Sequence, residues 1–147
     1  MNKIIRKIQY SEKVYRFDVE APLIAKSRKA GNFVIIRVDA NSERMPLTIA
    51  DADIEKGTIT LVVQKVGLSS TKLCNLNEGD EIHDVVGPLG NPTHIENFGT
   101  VLCAGGGVGV APMLPIIKAL KAAGNRVLSV IAGRSKDLVI MEDEVRA

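Results

Sequence analysis

Aromatic residues are scarce in this chain, which has no tryptophan, two tyrosines and three phenylalanines among 147 residues. So few rings leave little for nucleobases to stack on. Charge of one sign is equally lacking. Nineteen lysines and arginines stand against seventeen aspartates and glutamates, a net charge of +2, and the basic residues are dispersed, so no electrostatic footprint of a nucleic-acid binder is present. Cysteine is almost absent. Cys74 and Cys103 lie far apart without a C-x-x-C partner and read as buried free thiols rather than as a disulfide or a ligand pair. No apolar run reaches the length of a membrane span, and the basic start Met1-Asn-Lys-Ile-Ile-Arg-Lys-Ile-Gln lacks the apolar core of a signal peptide, so the expected location is the cytoplasm. His83 and His94 have no carboxylate or cysteine at ligand spacing, and no metal site is expected. A His-Asp or paired-carboxylate constellation for acid-base work is also missing.

What remains, 46% apolar and 24% charged, is the composition of a globular protein able to bury one good core or two small ones. Residues 14–19 alternate, with Tyr15, Phe17 and Val19 on one face and Arg16 and Asp18 on the other. Residues 33–38 are β-branched and nearly continuous, residues 58–66 alternate around Ile59, Leu61 and Val63, and residues 81–86 read as one further short strand. Turn signals separate them, among them Ala21-Pro22, Glu55-Lys56-Gly57, Glu78-Gly79-Asp80 and Gly87-Pro88-Leu89-Gly90. Short strands at this spacing predict a small antiparallel barrel or sandwich. Within it, Ser69-Ser70-Thr71 is expected to cap a short helix through Lys72, Leu73 and Leu76.

The character changes between residues 93 and 99. Residues 101–104 suit a buried strand, and residues 113–123 carry Leu114, Ile117 and Leu120 at helical spacing. Gly124 suits the helix stop, and residues 126–132 form another apolar run. This is a β-α-β unit whose two strands are expected to be parallel. Gly105, Gly106, Gly107 and Gly109 fall at its strand-to-helix turn, and Pro112 suits the first helical turn. A turn without side chains lets backbone N–H groups approach a phosphate, and the positive end of the helix dipole favours negative charge. The match to G-x-G-x-x-G is partial, because Val110 stands at the third glycine position.

Five stretches occur in an order that resembles the ferredoxin:NADP reductase superfamily: Arg44-Met-Pro46-Leu47-Thr48-Ile49, residues 67–73, Gly87-Pro88-Leu89-Gly90, residues 105–112 and Gly133-Arg134-Ser135. The likeness is to its small electron-transfer subunits, such as those of type B dihydroorotate dehydrogenase and of NADH-dependent reduced ferredoxin:NADP oxidoreductase. It implies an N-terminal antiparallel β-barrel that binds FAD over residues 1–97. Residues 98–147 would then be the first part of an α/β Rossmann-like domain for NAD or NADP, a pattern that continues in the family beyond the point where this chain ends.

The resemblance also assigns residues. Arg44 would meet the FAD diphosphate, Pro46 and Leu47 would hold the extended backbone beside the flavin, and Thr48 would stand at the reactive flavin edge as the catalytic residue. Val62, Val63 and Gln64 would lie along the ribityl and adenosine side, though Val62 and Val63 also read as core. Gly67 would allow close approach, with Ser70 and Thr71 donating to the diphosphate. Gly105, Gly106, Gly107, Val108, Gly109 and Pro112 would cradle the nicotinamide nucleotide, and Arg134 and Ser135 would meet its adenosine ribose or 2′-phosphate. Val108 stands where the commoner pattern has threonine.

The implied function is electron transfer between NAD(P)H and an acceptor through FAD, with a larger catalytic oxidoreductase subunit or a ferredoxin-type carrier as partner. Relatives of full length hold a [2Fe-2S] cluster, for which two cysteines supply too few ligands. The competing expectation is an inactive flavin-binding or partner-interaction module.

Overall fold

The computed structural model describes residues 2–147. The chain runs β1 (Asn2–Gln9), β2 (Val14–Glu20), α1 (Pro22–Ser27), β3 (Phe33–Arg37), β4 (Met45–Thr48), β5 (Asp51–Asp53), β6 (Thr58–Gln64), α2 (Leu68–Cys74), β7 (Glu81–Ile82), β8 (Asp84–Leu89), β9 (Thr100–Gly106), α3 (Val110–Ala122), β10 (Arg126–Ala132) and α4 (Glu142–Arg146). A 3-10 turn over Gly107–Gly109 leads into α3, and another covers Lys136–Leu138.

The first eight strands form two antiparallel sheets, ordered β5-β6-β2-β1-β7 and β4-β3-β8, over a common core. Ile4, Phe17, Val19, Val34, Ile36, Ile59 and Leu61 are fully buried in it. The alternation read in β2 and β6 therefore points the expected residues inwards. β6 departs from the simple pattern because its other face is covered as well: Thr58, Thr60 and Val62 are buried too. The expected barrel is an open one. Pairing between β5 and β6 ends at Asp51 with Thr60, so residues 61–64 have β2 on one side and no ladder partner on the other among the described residues.

Three elements differ from the sequence expectation. β1 is a full strand where only a basic start was read. Its register shifts between Ile4 and Arg6, and this bulge breaks the alternation that would have announced it. Lys7 closes over it, with its ammonium 5.1 Å from the Tyr15 ring and donating to the Cys74 carbonyl at 2.7 Å at the end of α2. The single strand expected over residues 81–86 is two. β7 pairs with β1 and β8 with β3, and the chain changes sheets at His83. Pro22, read as a turn, opens α1 at its first position, where a missing N–H costs nothing.

The β-α-β unit has the expected order and parallel pairing, but residues 101–104 are not a buried strand: only Cys103 among them is buried, and Leu102 is exposed. β9 and β10 pair in parallel from Thr100 with Arg126 to Gly106 with Ala132. α3 lies on one face through Cys103, Ile117 and Leu120. Its end is a Schellman arrangement, with Gly124 N–H donating to Lys121 O at 3.1 Å and Asn125 N–H to Leu120 O at 3.2 Å. Asn125 is buried and ties this corner to the preceding linker, accepting from Phe98 N–H at 2.7 Å and donating to Glu96 O at 2.8 Å.

A second apolar cluster joins the two parts. Val14, Ala50 and Val62 from the antiparallel sheets pack on Val110, Ala111 and Leu114 of α3, with Ile140 and Met141. Lys118 donates to Asp51 at 2.7 Å beside this contact, and Tyr10 donates to Glu144 at 3.3 Å. No helix among the described residues is long and apolar enough to cross a membrane.

Candidate functional site

A strip of barrel surface follows the open edge of β6. β4 lies alongside it and carries Arg44 at its entry, then Pro46, Leu47 and Thr48. Arg44 and Pro46 are exposed, Thr48 is half-buried, and Leu47 leans on the core. The Arg44 guanidinium stands 3.7 Å from Asp84, a carboxylate that Arg37 already holds at 2.7 Å. Asp51, close to Arg44 in sequence, is instead paired with Arg28 and Lys118. On the far side of the strip, Lys72 of α2 reaches the loop before Arg44, 3.4 Å from Asp39 and 3.3 Å from the Ser42 hydroxyl. Hydrogen bonds from the Ser42 hydroxyl and the Asn41 N–H, with Lys72 nearby, hold the exposed Asp39 carboxyl below its ordinary range. α2 is thus tied to the loop that leads into β4.

Among the sequence-assigned residues here, the roles divide. Val62 and Val63 are buried with opposite faces, Val62 against α3 and Val63 in the barrel core, so only their backbone borders the strip. Ser70 is buried at the third position of α2 rather than capping it. Its oxygen accepts from Gly67 N–H at 2.9 Å and Val66 N–H at 3.0 Å, and its hydroxyl donates to Gly67 O at 3.2 Å. That donor is spent on the helix's own entry, because α2 starts at Leu68 after Gly67 and not at a serine. Thr71 is half-buried, and at Gly67 no atom lies within 4 Å of where a Cβ would stand.

The strip ends at Gln64, and there a second feature begins. A cleft of about 700 Å³ runs between the antiparallel sheets and the carboxyl ends of β9 and β10. Gly106, Gly107 and Val108 form one part of its wall, Gly133 and Arg134 another, and Gln64 faces them. Gly107 has φ +55°, a conformation that L side chains seldom adopt, and it turns the chain from strand into helix. At Gly133 a Cβ would stand 2.9 Å from the Leu138 backbone, so only glycine lets the 136–138 turn fold back over the end of β10. No side chain caps α3 and no acidic residue occupies its first turn. The Val110 N–H already donates to Gly107 O, so the N–H groups without an intrahelical partner are those of the Gly107–Gly109 turn that leads into α3. Gly105 and Pro112 sit behind the wall, Gly105 under Met113, while Gly109 continues the turn and Ser135 stands exposed beyond Arg134.

Three residues of this wall were not legible beforehand: Ser11, Glu12 and Lys13, the turn between β1 and β2. They look like any polar turn, and only the packing of Val14 against α3 brings them to the cleft. A polar network lies on the other side of that contact. Arg16 pairs with Asp18 at 3.0 Å and donates to the Tyr10 hydroxyl at 3.3 Å, and Thr60 donates to Asp18 at 2.7 Å. Burial alone would lower the Arg16 guanidinium, yet its hydrogen bonds with Tyr10 and Asp18 outweigh burial and raise it, so it stays charged. Burial raises the Tyr10 phenol, keeping it neutral as a donor to Glu144. Among the described residues no cluster of His, Cys, Asp and Glu could hold a metal ion.

An open antiparallel barrel carrying a glycine-turn β-α-β unit on its flank is the architecture of the ferredoxin reductase-like superfamily, and by sequence and fold the chain is similar to its members. Among these it is similar to electron-transfer subunits. It is 47% identical over 146 residues to the dihydroorotate dehydrogenase B (NAD(+)) electron transfer subunit homolog of Thermotoga maritima, covering 99% of this chain and 52% of that protein. It is 32% identical over 143 residues to the dihydroorotate dehydrogenase B (NAD(+)) electron transfer subunit of Bacillus caldolyticus, covering 93% of this chain and 55% of that protein. A solved structure of NADH-dependent reduced ferredoxin-NADP oxidoreductase superposes with a TM-score of 0.95 at 48% identity, over 99% of this chain and 52% of that one. The chain therefore spans about half the length of the relatives it matches. No protein-family model matches it.

Proposed function

We propose that this chain is the FAD- and nicotinamide-nucleotide-binding part of an oxidoreductase electron-transfer subunit, with residues 1–97 holding the flavin and residues 98–147 opening the nucleotide-binding unit. The observation that carries the reading is Gln64, which ends the open strip of β6 and also lines the glycine cleft. A ligand along the strip and a ligand in the cleft would meet there.

The residues present fit both groups. The unpaired edge of β6 offers main-chain donors and acceptors to the hydroxyl-rich ribityl and adenosine parts of FAD. Arg44 offers a planar fork for a diphosphate, Thr48 a hydroxyl for the flavin edge, and Gly67 room for close approach. Bound FAD would supply the link between two-electron and one-electron chemistry, taking one hydride, and with it two electrons, from NAD(P)H and releasing electrons one at a time. The protein's share is positional. The Val14, Ala50 and Val62 contact with α3 holds strip and cleft in fixed relation, and such alignment replaces a dedicated acid or base. Electrons would pass on to a larger oxidoreductase subunit or a ferredoxin-type carrier.

FAD titration by fluorescence quenching tests the flavin half: one FAD per chain is expected, and no uptake would overturn the reading. A second reading, a flavin-binding or partner-interaction module without nucleotide chemistry, is favoured by one feature. On the face of β9 and β10 away from α3, Leu102, Leu128 and Val130 are exposed at 66%, 44% and 53%, an apolar surface suited to a partner. Flavin uptake with no spectral response to NADH or NADPH would select it.

A further inference from the structure

We propose that the turn joining β1 to β2 is a working wall of the nucleotide cleft, and that Lys13 on it meets the dinucleotide diphosphate from the side opposite Arg134. This rests on reading the cleft as the nicotinamide-nucleotide site. Lys13 and Arg134 are the two cations lining the cleft, one carried by the barrel and one by the end of β10. Both are exposed, and neither enters an ion pair among the described residues. The Gly106–Val108 segment, which leads through the Gly107–Gly109 turn into α3, lines the same cleft. A diphosphate bound there gains from N–H groups on one side and needs cations on the others, because its charge is only partly met by the helix end.

Lys13 is also held in place. Its carbonyl accepts from Lys65 N–H at 2.7 Å just beyond β6, and Tyr10 N–H closes the turn onto Val14 O at 2.8 Å. Val14 is buried against Val110 and Ala111 at the start of the helix that the diphosphate would face. The backbone of the turn is thus fixed relative to the glycine wall, and the side chain spends little entropy on ordering its base. Glu12, the adjacent cleft residue, carries the opposite charge and works against the same anion. Nucleotide binding then draws on both parts of the molecule at once.

The test uses the FAD-loaded chain and titrates NADH by calorimetry in Lys13→Gln, Glu12→Gln, Arg134→Gln and the unmodified protein. Loss of a charge-assisted contact should weaken NADH binding by about tenfold in Lys13→Gln and in Arg134→Gln, with flavin content and melting temperature unchanged. Lys13→Arg should restore most of it. Glu12→Gln should strengthen binding, most clearly at low salt. Opposite signs at neighbouring positions separate an electrostatic role from a structural one, which would weaken binding in both. NADH affinity in Lys13→Gln equal to that of the unmodified chain, with Arg134→Gln impaired, would overturn the proposal and leave the nucleotide site standing. If the unmodified FAD-loaded chain binds no nucleotide, the reading beneath the proposal fails and the proposal with it.

Discussion

Arg44 is 57% exposed and leans on Asp84 at 3.7 Å, while Arg37 already holds the same carboxylate. Its charge is therefore available to an anionic ligand at little cost to the fold. Arg44→Ala should weaken FAD binding by about 1.5 kcal/mol, at the lower end for a hydrogen bond to a charged group, and should leave the melting temperature unchanged. Equal FAD affinity in the variant would remove Arg44 from the site. Cys74 and Cys103 show the opposite condition. Burial raises both thiols above their ordinary range, offset at Cys74 by Lys65 and Lys7. Each favours its protonated form when folded, so its contribution to stability is fully present below the ordinary thiol pKa and is lost as pH rises through the raised value. Urea midpoints should fall on the alkaline side, and thiol reagents should label both residues only after unfolding. Rapid labelling of the native chain at neutral pH would contradict this.

At the level of elements, legibility followed the physics that forms them. β9, α3 and β10 were readable because an apolar run, a glycine break, a helical period and a glycine stop occur in direct succession. β1 was not, because a bulge between Ile4 and Arg6 destroys the period. The change of sheet at His83 was invisible for another reason: alternation reports which face is buried and says nothing about which sheet a strand joins. The glycine wall of the cleft could be read in the same way as α3, whereas its opposite wall at Ser11, Glu12 and Lys13 is made by tertiary approach alone. Ser70 was legible as a helix-entry residue but not as one whose donor is spent there. Asn125 is the element-scale residue with the largest expected effect. Its side chain makes bonds to Phe98 N–H, Glu96 O and Leu120 O, holding the linker to the end of α3. Asn125→Ala should cost about 2 kcal/mol, because buried partners are left unsatisfied. Chemical denaturation checks it, and a change below a few tenths of a kcal/mol would mean that water replaces those bonds.

Across the whole molecule the two halves share an apolar contact. Val14, Ala50 and Val62 meet Val110, Ala111 and Leu114, and Lys118 with Asp51 and Tyr10 with Glu144 flank them. Leu114 alone, fully buried, contributes about 2 kcal/mol by area removed from water. This contact sets the distance between the open strip of β6 and the glycine cleft, and Gln64 belongs to both. Under the proposed function these are neighbouring seats for a flavin and a nicotinamide nucleotide. The most direct test mixes the FAD-loaded chain with NADH, and separately with NADPH, under anaerobic conditions in a stopped-flow instrument, and follows the visible flavin absorbance. Bleaching is expected, with a rate that saturates with nucleotide concentration and a half-saturation point that rises in Arg134→Gln while flavin content holds. A chain that binds FAD stoichiometrically and keeps its full flavin absorbance with either nucleotide would contradict it.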